Sequence, residues 1–233
     1  MSGSVLEAAP SASRRRARRS RSARPSQRRL FALDRRRFLD IRFGGRRSAG
    51  RVVRAWLLEP DLRAVACYRF SHAAAGLYSR HRLIGLLPRL ISRLWRQRFL
   101  TRHHLWIQQE AEIGPGLYIA HFHGIQVGPV AIGANCTIYH NVTLGRQLAG
   151  GGDGVPTLGD NVWIGPGSTL TGAITVGNNV TISAGTVLSK SVPDGCLVAG
   201  NPGRVIQQDH DNSALVTYPV PVPRNGQVER HDT

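Results

Sequence analysis

From Ile107 onward, aliphatic side chains return at every sixth position: Ile107, Ile113, Ile119, Ile125, then Ile132, Ile138, Leu144, then Leu158, Ile164, Leu170, Val176, Ile182 and Leu188. Glycine often follows the aliphatic, as at Gly114, Gly133, Gly145, Gly159, Gly165 and Gly177, and small or β-branched residues come three positions later. An α-helix repeats near 3.6 residues and a half-buried strand near two, so neither produces six. A six-residue period fits a solenoid in which each hexad is one short strand plus a corner. Three hexads close a triangular coil, and the inward aliphatics of one coil stack on those of the next. The pattern therefore predicts a mainly β fold, a parallel β-helix over residues 105–206. It is interrupted twice: by a step of seven between Ile125 and Ile132, read as a local slip, and by the gap from Leu144 to Leu158. That gap holds a glycine-rich loop, Arg146 to Pro156, expected to flank a functional cleft.

Upstream the period changes to three and four. Glu59-Pro60-Asp61 sets a proline where a first helical turn tolerates it and acids where the helix dipole favours them. A helix is predicted from about Pro60 to Arg80, with Leu62, Val65, Ala66, Phe70, Ala73 and Leu77 on its apolar face. A second is predicted from Ile84 to Leu100 around Pro88, with Leu90, Ile91, Leu94 and Phe99. Arg89, Arg93, Arg96 and Arg98 on that helix read as a solvated face, or more sharply as a membrane-surface stripe. The expected organisation is a disordered Arg-rich leader at 1–55, an α-helical lead-in at 56–104, the β-helix at 105–206 and a disordered tail at 207–233.

Charge changes this picture only at one end. The formal net charge is +17, yet residues 1–55 hold 17 Arg against Glu7, Asp34 and Asp40, which is +14, leaving +3 for the rest. The predicted core therefore does not require nucleic acid, and the leader reads as a passive tail or as an arm for RNA or an anionic membrane. Asp34-Arg35-Arg36-Arg37-Phe38-Leu39 imitates a twin-arginine export signal but lacks an apolar run after it, so export is not expected. No run of 18 apolar residues suggests a transmembrane helix. Cys67, Cys136 and Cys196 are odd in number and widely spaced, which fits neither a disulfide framework nor a metal motif and agrees with a cytoplasmic location.

The candidate chemistry centres on Tyr118-Ile119-Ala120-His121-Phe122-His123-Gly124. A histidine in a hexad's third position points away from the aliphatic stack, so His121 should be partly exposed. His140 holds the same position one coil later and should lie about 4.8 Å away along the coil axis. Three readings are open: a structural polar ladder, a metal shared between subunits, and His121 as a general base near its working pKa. His123 is separated from His121 by a corner, which disfavours a chelating pair.

Three segments then carry a resemblance. Gly116 to Ile125, Ile138-Tyr139-His140-Asn141-Val142-Thr143-Leu144-Gly145, and Ala199-Gly200-Asn201-Pro202-Gly203-Arg204-Val205-Ile206 together resemble the serine acetyltransferase family of hexapeptide-repeat acyltransferases, over about Asp61 to Ile206. The resemblance implies a left-handed parallel β-helix, acetyl-CoA as co-substrate with no resident metal, a homotrimer with sites between subunits, and His121 as catalytic base. It implies a serine O-acetyltransferase in cysteine biosynthesis, with backbone N–H groups steadying the oxyanion. The acceptor half departs from the family pattern: Ala120 stands where serine-specific members resemble one another in Asp, Trp106 falls where the His-orienting Asp would, and Gly154-Val155 replaces an Arg-His pair. Glu110, Asp153 or a backbone carbonyl could orient His121 instead, with His140 and His123 in support. A sugar or surface-polysaccharide hydroxyl is the alternative acceptor.

On the donor side, the chain has 31 Lys plus Arg of which only Lys190 is lysine. Lys190 and Arg204 are candidates for the CoA phosphates, and Gly165, Gly167, Ala184 and Gly185 would let the pantetheine arm lie along the coil. Two further classes stand beside the enzyme: a non-catalytic trimeric scaffold with basic arms, and a zinc-dependent hydratase with the metal shared between subunits.

Overall fold

The computed structural model describes residues 25–46, 48–146 and 154–221. Four helices lead into a coil: α1 (Gln27–Phe43), α2 (Ala49–Leu58), α3 (Pro60–Arg80) and α4 (Arg82–His103). The hexads then wind into three parallel sheets. The first stacks β1 (Trp106–Ile107), β4 (Gln126–Val127), β7 (Thr143–Gly145), β10 (Thr169–Thr171) and β13 (Val187–Leu188). The second stacks β2 (Glu112–Ile113), β5 (Ala131–Ile132), β8 (Thr157–Leu158) and β11 (Thr175–Val176). The third stacks β3 (Tyr118–Ile119), β6 (Thr137–Ile138), β9 (Trp163–Ile164), β12 (Thr181–Ile182) and β14 (Leu197–Ala199), and closes with antiparallel β15 (Arg204–Gln207).

The hexad aliphatics are the core, since Ile119, Ile138, Ile164 and Ile182 align in register and are fully buried. Corner glycines are required by coil-to-coil distance: a Cβ on Gly133 would sit 2.5 Å from the carbonyl oxygen of Gly159. Burial pushes the thiols of Cys67 and Cys136 up to about 12. Both should therefore resist Ellman's reagent at neutral pH until denaturant is added. Stoichiometric reaction of either in the native protein would contradict the packing.

The register corrects the expected slip. In the first sheet Val127, not Ile125, lies between Ile107 and Leu144. The step from Ile119 to Val127 is thus eight and the step from Val127 to Ile132 is five. The two extra residues are extruded at the corner that carries His121 and His123. Ile125 is also fully buried, which is why counting aliphatics alone chose it.

Two boundaries also move. Most of the described part of the expected disordered leader is helical, because a few of its residues have partners that an averaged charge hides. Asp34 and Arg69 form a buried ion pair at 2.7 Å, and Asp34 also accepts the Leu117 N–H. Arg37, fully buried, donates to the carbonyls of Gly116, Cys136 and Thr217 and to the Thr137 hydroxyl. Burial pulls its guanidinium down to about 10. Residues 1–24 of that leader lie outside the described residues. At the other end, the first half of the expected disordered tail runs back along the corner between the second and third sheets. The His210 N–H donates to Gly195, Asn212 to Asn161, and Asn135 and Val220 exchange two bonds. Residues 222–233 lie outside the described part.

Helix α4 differs from expectation in orientation. Of its four anticipated core positions only Phe99 is buried, while Leu90, Ile91 and Leu94 face outward. The helix packs through Gly85, Ser92 and Phe99 instead. Gly85 lets α3 approach closely, since a Cβ there would lie 2.4 Å from the Tyr78 Cα.

Candidate active site

The corner between the third and first sheets collects the histidines. His121 is exposed and takes a left-handed backbone, φ 55°, as Asn135, Asn141, Asn161 and Asn179 do at other corners of the coil. As its place in the hexad predicts, His140 stacks beside it: the rings are 5.8 Å apart and edge-on. The His140 Nδ1 is buried with no hydrogen-bond partner among the described residues. Tyr139 stands 6.1 Å from the His121 ring and leads on to Trp163 at 5.0 Å.

The fold brings to this corner a carboxylate that sequence reasoning missed. Asp61, in the first turn of α3, accepts the Phe122 N–H at 3.0 Å and lies close enough to His121 and His123 for their charges to act on it. Burial raises its carboxyl above the usual range, against the opposing pull of the Phe122 N–H and of His121. The sequence had shown Asp61 only as a helix-dipole acid, and 60 residues of intervening chain concealed its neighbour. Glu110 does not serve: it sits at a different corner, bonded to the Gln109 side chain and facing Arg96. Trp106 is stacked under the Arg96 guanidinium at 4.3 Å. Asp153 lies outside the described residues.

His123 turns toward the end of α4, where its Nε2 lies 3.2 Å from the His103 Nδ1. Desolvation and the neighbouring His123 lower the His103 pKa. His123 thus belongs to a second pair rather than to the His121 ring contact. No group of three or more His, Cys, Asp or Glu able to hold a metal occurs among the described residues.

Above His121 and His140 the same corner becomes small. Gly167 and Gly185 both adopt positive φ and are exposed, and Ala184, next to Gly185, is exposed as well. Gly167 donates to His140 and Gly185 to Pro166, so the column is continuous. Gly165 is buried against Ala184 and the Trp163 ring. Exposed Arg204 pairs in register with Ala199 at the far end of this column. Lys190, also exposed, follows β13 at the corner between the first and second sheets, and so is not beside the glycines within one protomer. The stems of the long loop, Gly145 and Thr157, share the Lys190 corner.

Comparison with known proteins agrees with this fold. The family model for bacterial transferase hexapeptide (six repeats) matches residues 156–190. A serine acetyltransferase of Helicobacter pylori (strain ATCC 700392 / 26695) is 40% identical over 119 residues, covering 51% of this chain and 64% of that protein. The chain thus spans a little under two thirds of the length of this curated relative. A serine acetyltransferase structure from Brucella abortus strain S19 is 30% identical with a TM-score of 0.62, covering 78% of this chain and 69% of that one. The structure of serine acetyltransferase in complex with coenzyme A from the same strain is 29% identical with a TM-score of 0.64, covering 79% and 69%. With its helical lead-in and left-handed parallel β-helix, the chain belongs to the serine acetyltransferase family of hexapeptide-repeat acyltransferases.

Proposed function

We propose that the protein is an acetyl-CoA-dependent O-acetyltransferase acting on L-serine, with His121 as general base. The observation that carries this is the corner column: an exposed imidazole at one end, small left-handed residues along it, and a cationic side chain at the other. The family relationship supports both substrates, and the coenzyme A complex of the Brucella relative supports the donor.

In this reading His121 takes the acceptor hydroxyl's proton as the oxygen attacks the thioester carbonyl. The tetrahedral intermediate collapses, the carbon–sulfur bond breaks, and the imidazolium returns its proton to the departing thiolate. Asp61 steadies the imidazolium and, through the Phe122 N–H, fixes the corner on which His121 sits. A homotrimer would complete the site, because Lys190 and the loop stems Gly145 and Thr157 lie on a different corner from His121, and a neighbouring protomer would bring such a corner to it.

Asp61→Asn is expected to lower kcat/KM by about 10- to 100-fold while leaving the thermal midpoint nearly unchanged, since the amide oxygen can still accept from Phe122. Steady-state kinetics beside a melt checks this. An unchanged kcat/KM would remove Asp61 from the machinery.

A second reading keeps the reaction and changes the acceptor to a sugar hydroxyl. Ala120, beside His121, is buried and offers no group to a serine ammonium, and Trp106 is engaged by Arg96. Mass spectrometry of products from a mixture of L-serine and sugar acceptors decides between them. Acetylated serine supports the first reading, and sugar ester with no acetylserine replaces it with the second.

A further inference from the structure

Helix α4 is apolar on the side away from the protein. At 3.6 residues per turn, Gly85, Ser92 and Phe99 define the buried face, and Leu83, Leu87, Leu90 and Leu94 fall on the opposite one. That outer stripe is exposed, 90% at Leu83, 65% at Leu87 and 73% at Leu94, with Ile84 and Ile91 beside it. A merely solvated face would carry polar residues there.

The charge around the stripe has one sign. Helix α4 contains six arginines and no Asp or Glu. Arg89 and Arg96 turn inward to the Gln109 side chain, whereas Arg82, Arg93, Arg98 and Arg102 are exposed. A second copy of the chain docking face to face would bring these arginines together with no carboxylate in the helix to pair them. An anionic lipid surface offers what both features need: phosphates for the guanidiniums and an acyl boundary for the leucines. No helix among the described residues is long and apolar enough to cross a membrane, so the association would be peripheral.

We propose that α4 is an interfacial helix that docks the protein on an anionic membrane surface, its Leu83-Leu87-Leu90-Leu94 stripe in the headgroup–acyl boundary and its arginines on the phosphates. The Arg-rich sequence of residues 1–24 adds charge and is left intact by substitutions in the leucine stripe, so the two contributions separate by substitution.

The test is co-sedimentation of the full chain with phosphatidylcholine vesicles containing about one third phosphatidylglycerol, and with phosphatidylcholine alone. The parent is compared with Leu83→Gln/Leu87→Gln/Leu94→Gln, which keeps the charge and the leader. Circular dichroism and thiol release confirm that the variant is folded. The parent should bind the anionic vesicles, less tightly at high salt, and the variant should lose affinity by about tenfold or more. Equal binding by the variant, or no binding by the parent, overturns the proposal. So does a drop in the variant's oligomeric mass by light scattering without lipid, which would assign the stripe to contacts between copies.

Discussion

Replacing His121 with alanine is expected to lower kcat/KM for thiol release from acetyl-CoA by about 10²- to 10⁴-fold, the range for losing a positioned general base. The loss should fall on kcat, because the imidazole acts on the proton in flight and the glycine column that would hold the donor is untouched. Folding should survive, since the ring is exposed and meets His140 edge-on and Tyr139 at a tilt, with centroids 5.8 and 6.1 Å away. His123→Ala is the informative companion. His123 is turned to His103 at 3.2 Å, so its removal should cost far less than that of His121. Equal losses at both positions would mean that the histidine cluster acts as one unit and that His121 is not the base.

The largest stability effect is expected at Arg69→Met. The Arg69 guanidinium is 2% exposed, meets Asp34 through two nitrogens and donates to the carbonyls of Ile113 and Gly114. Burial already pushes the Asp34 carboxyl up against the attraction of Arg69. Without the guanidinium that carboxyl, 1% exposed, must be neutral or stay charged without compensation. Breaking a buried pair in this way costs about 3–5 kcal/mol. In a domain of this size that is a fall in Tm on the order of 10 °C, read by thermal melts followed by circular dichroism. A change under about 2 °C would show that α1 and α3 are held on the coil chiefly by apolar contacts. The double variant Asp34→Leu/Arg69→Met should recover part of the loss, as removing both charges is cheaper than stranding one.

What was legible in the sequence follows from which forces are local. The hexads were readable because every coil repeats one steric problem, an inward aliphatic and a tight corner, so the pattern accumulates over thirteen positions. The place of the insertion was not, because Ile125 and Val127 are both fully buried and only strand register tells them apart. His121 stood out in the sequence because a histidine in a hexad's third position points away from the aliphatic stack. Asp61 was not, because its proximity depends on how α3 sits on the first coil. Glu110 was chosen on nearness along the chain and lost to the triangular cross-section, which puts it on another corner. Helix α1 was hidden by its arginines: charge averaging predicts disorder, whereas Arg37 and Asp34 are individually satisfied by partners 35 to 180 residues away. In α4 the period was right and the phase wrong, since the leucines outnumber the small inner residues that pack the helix.

The measurement that bears most directly on the central claim is free-thiol release from acetyl-CoA by the purified full chain, with and without L-serine. Saturable, acceptor-dependent release is predicted, with the thiol and the acetyl ester formed in equal amounts. No release with serine or any sugar hydroxyl, together with no detectable binding of acetyl-CoA by calorimetry, would contradict the account and leave a coil of this family without its chemistry.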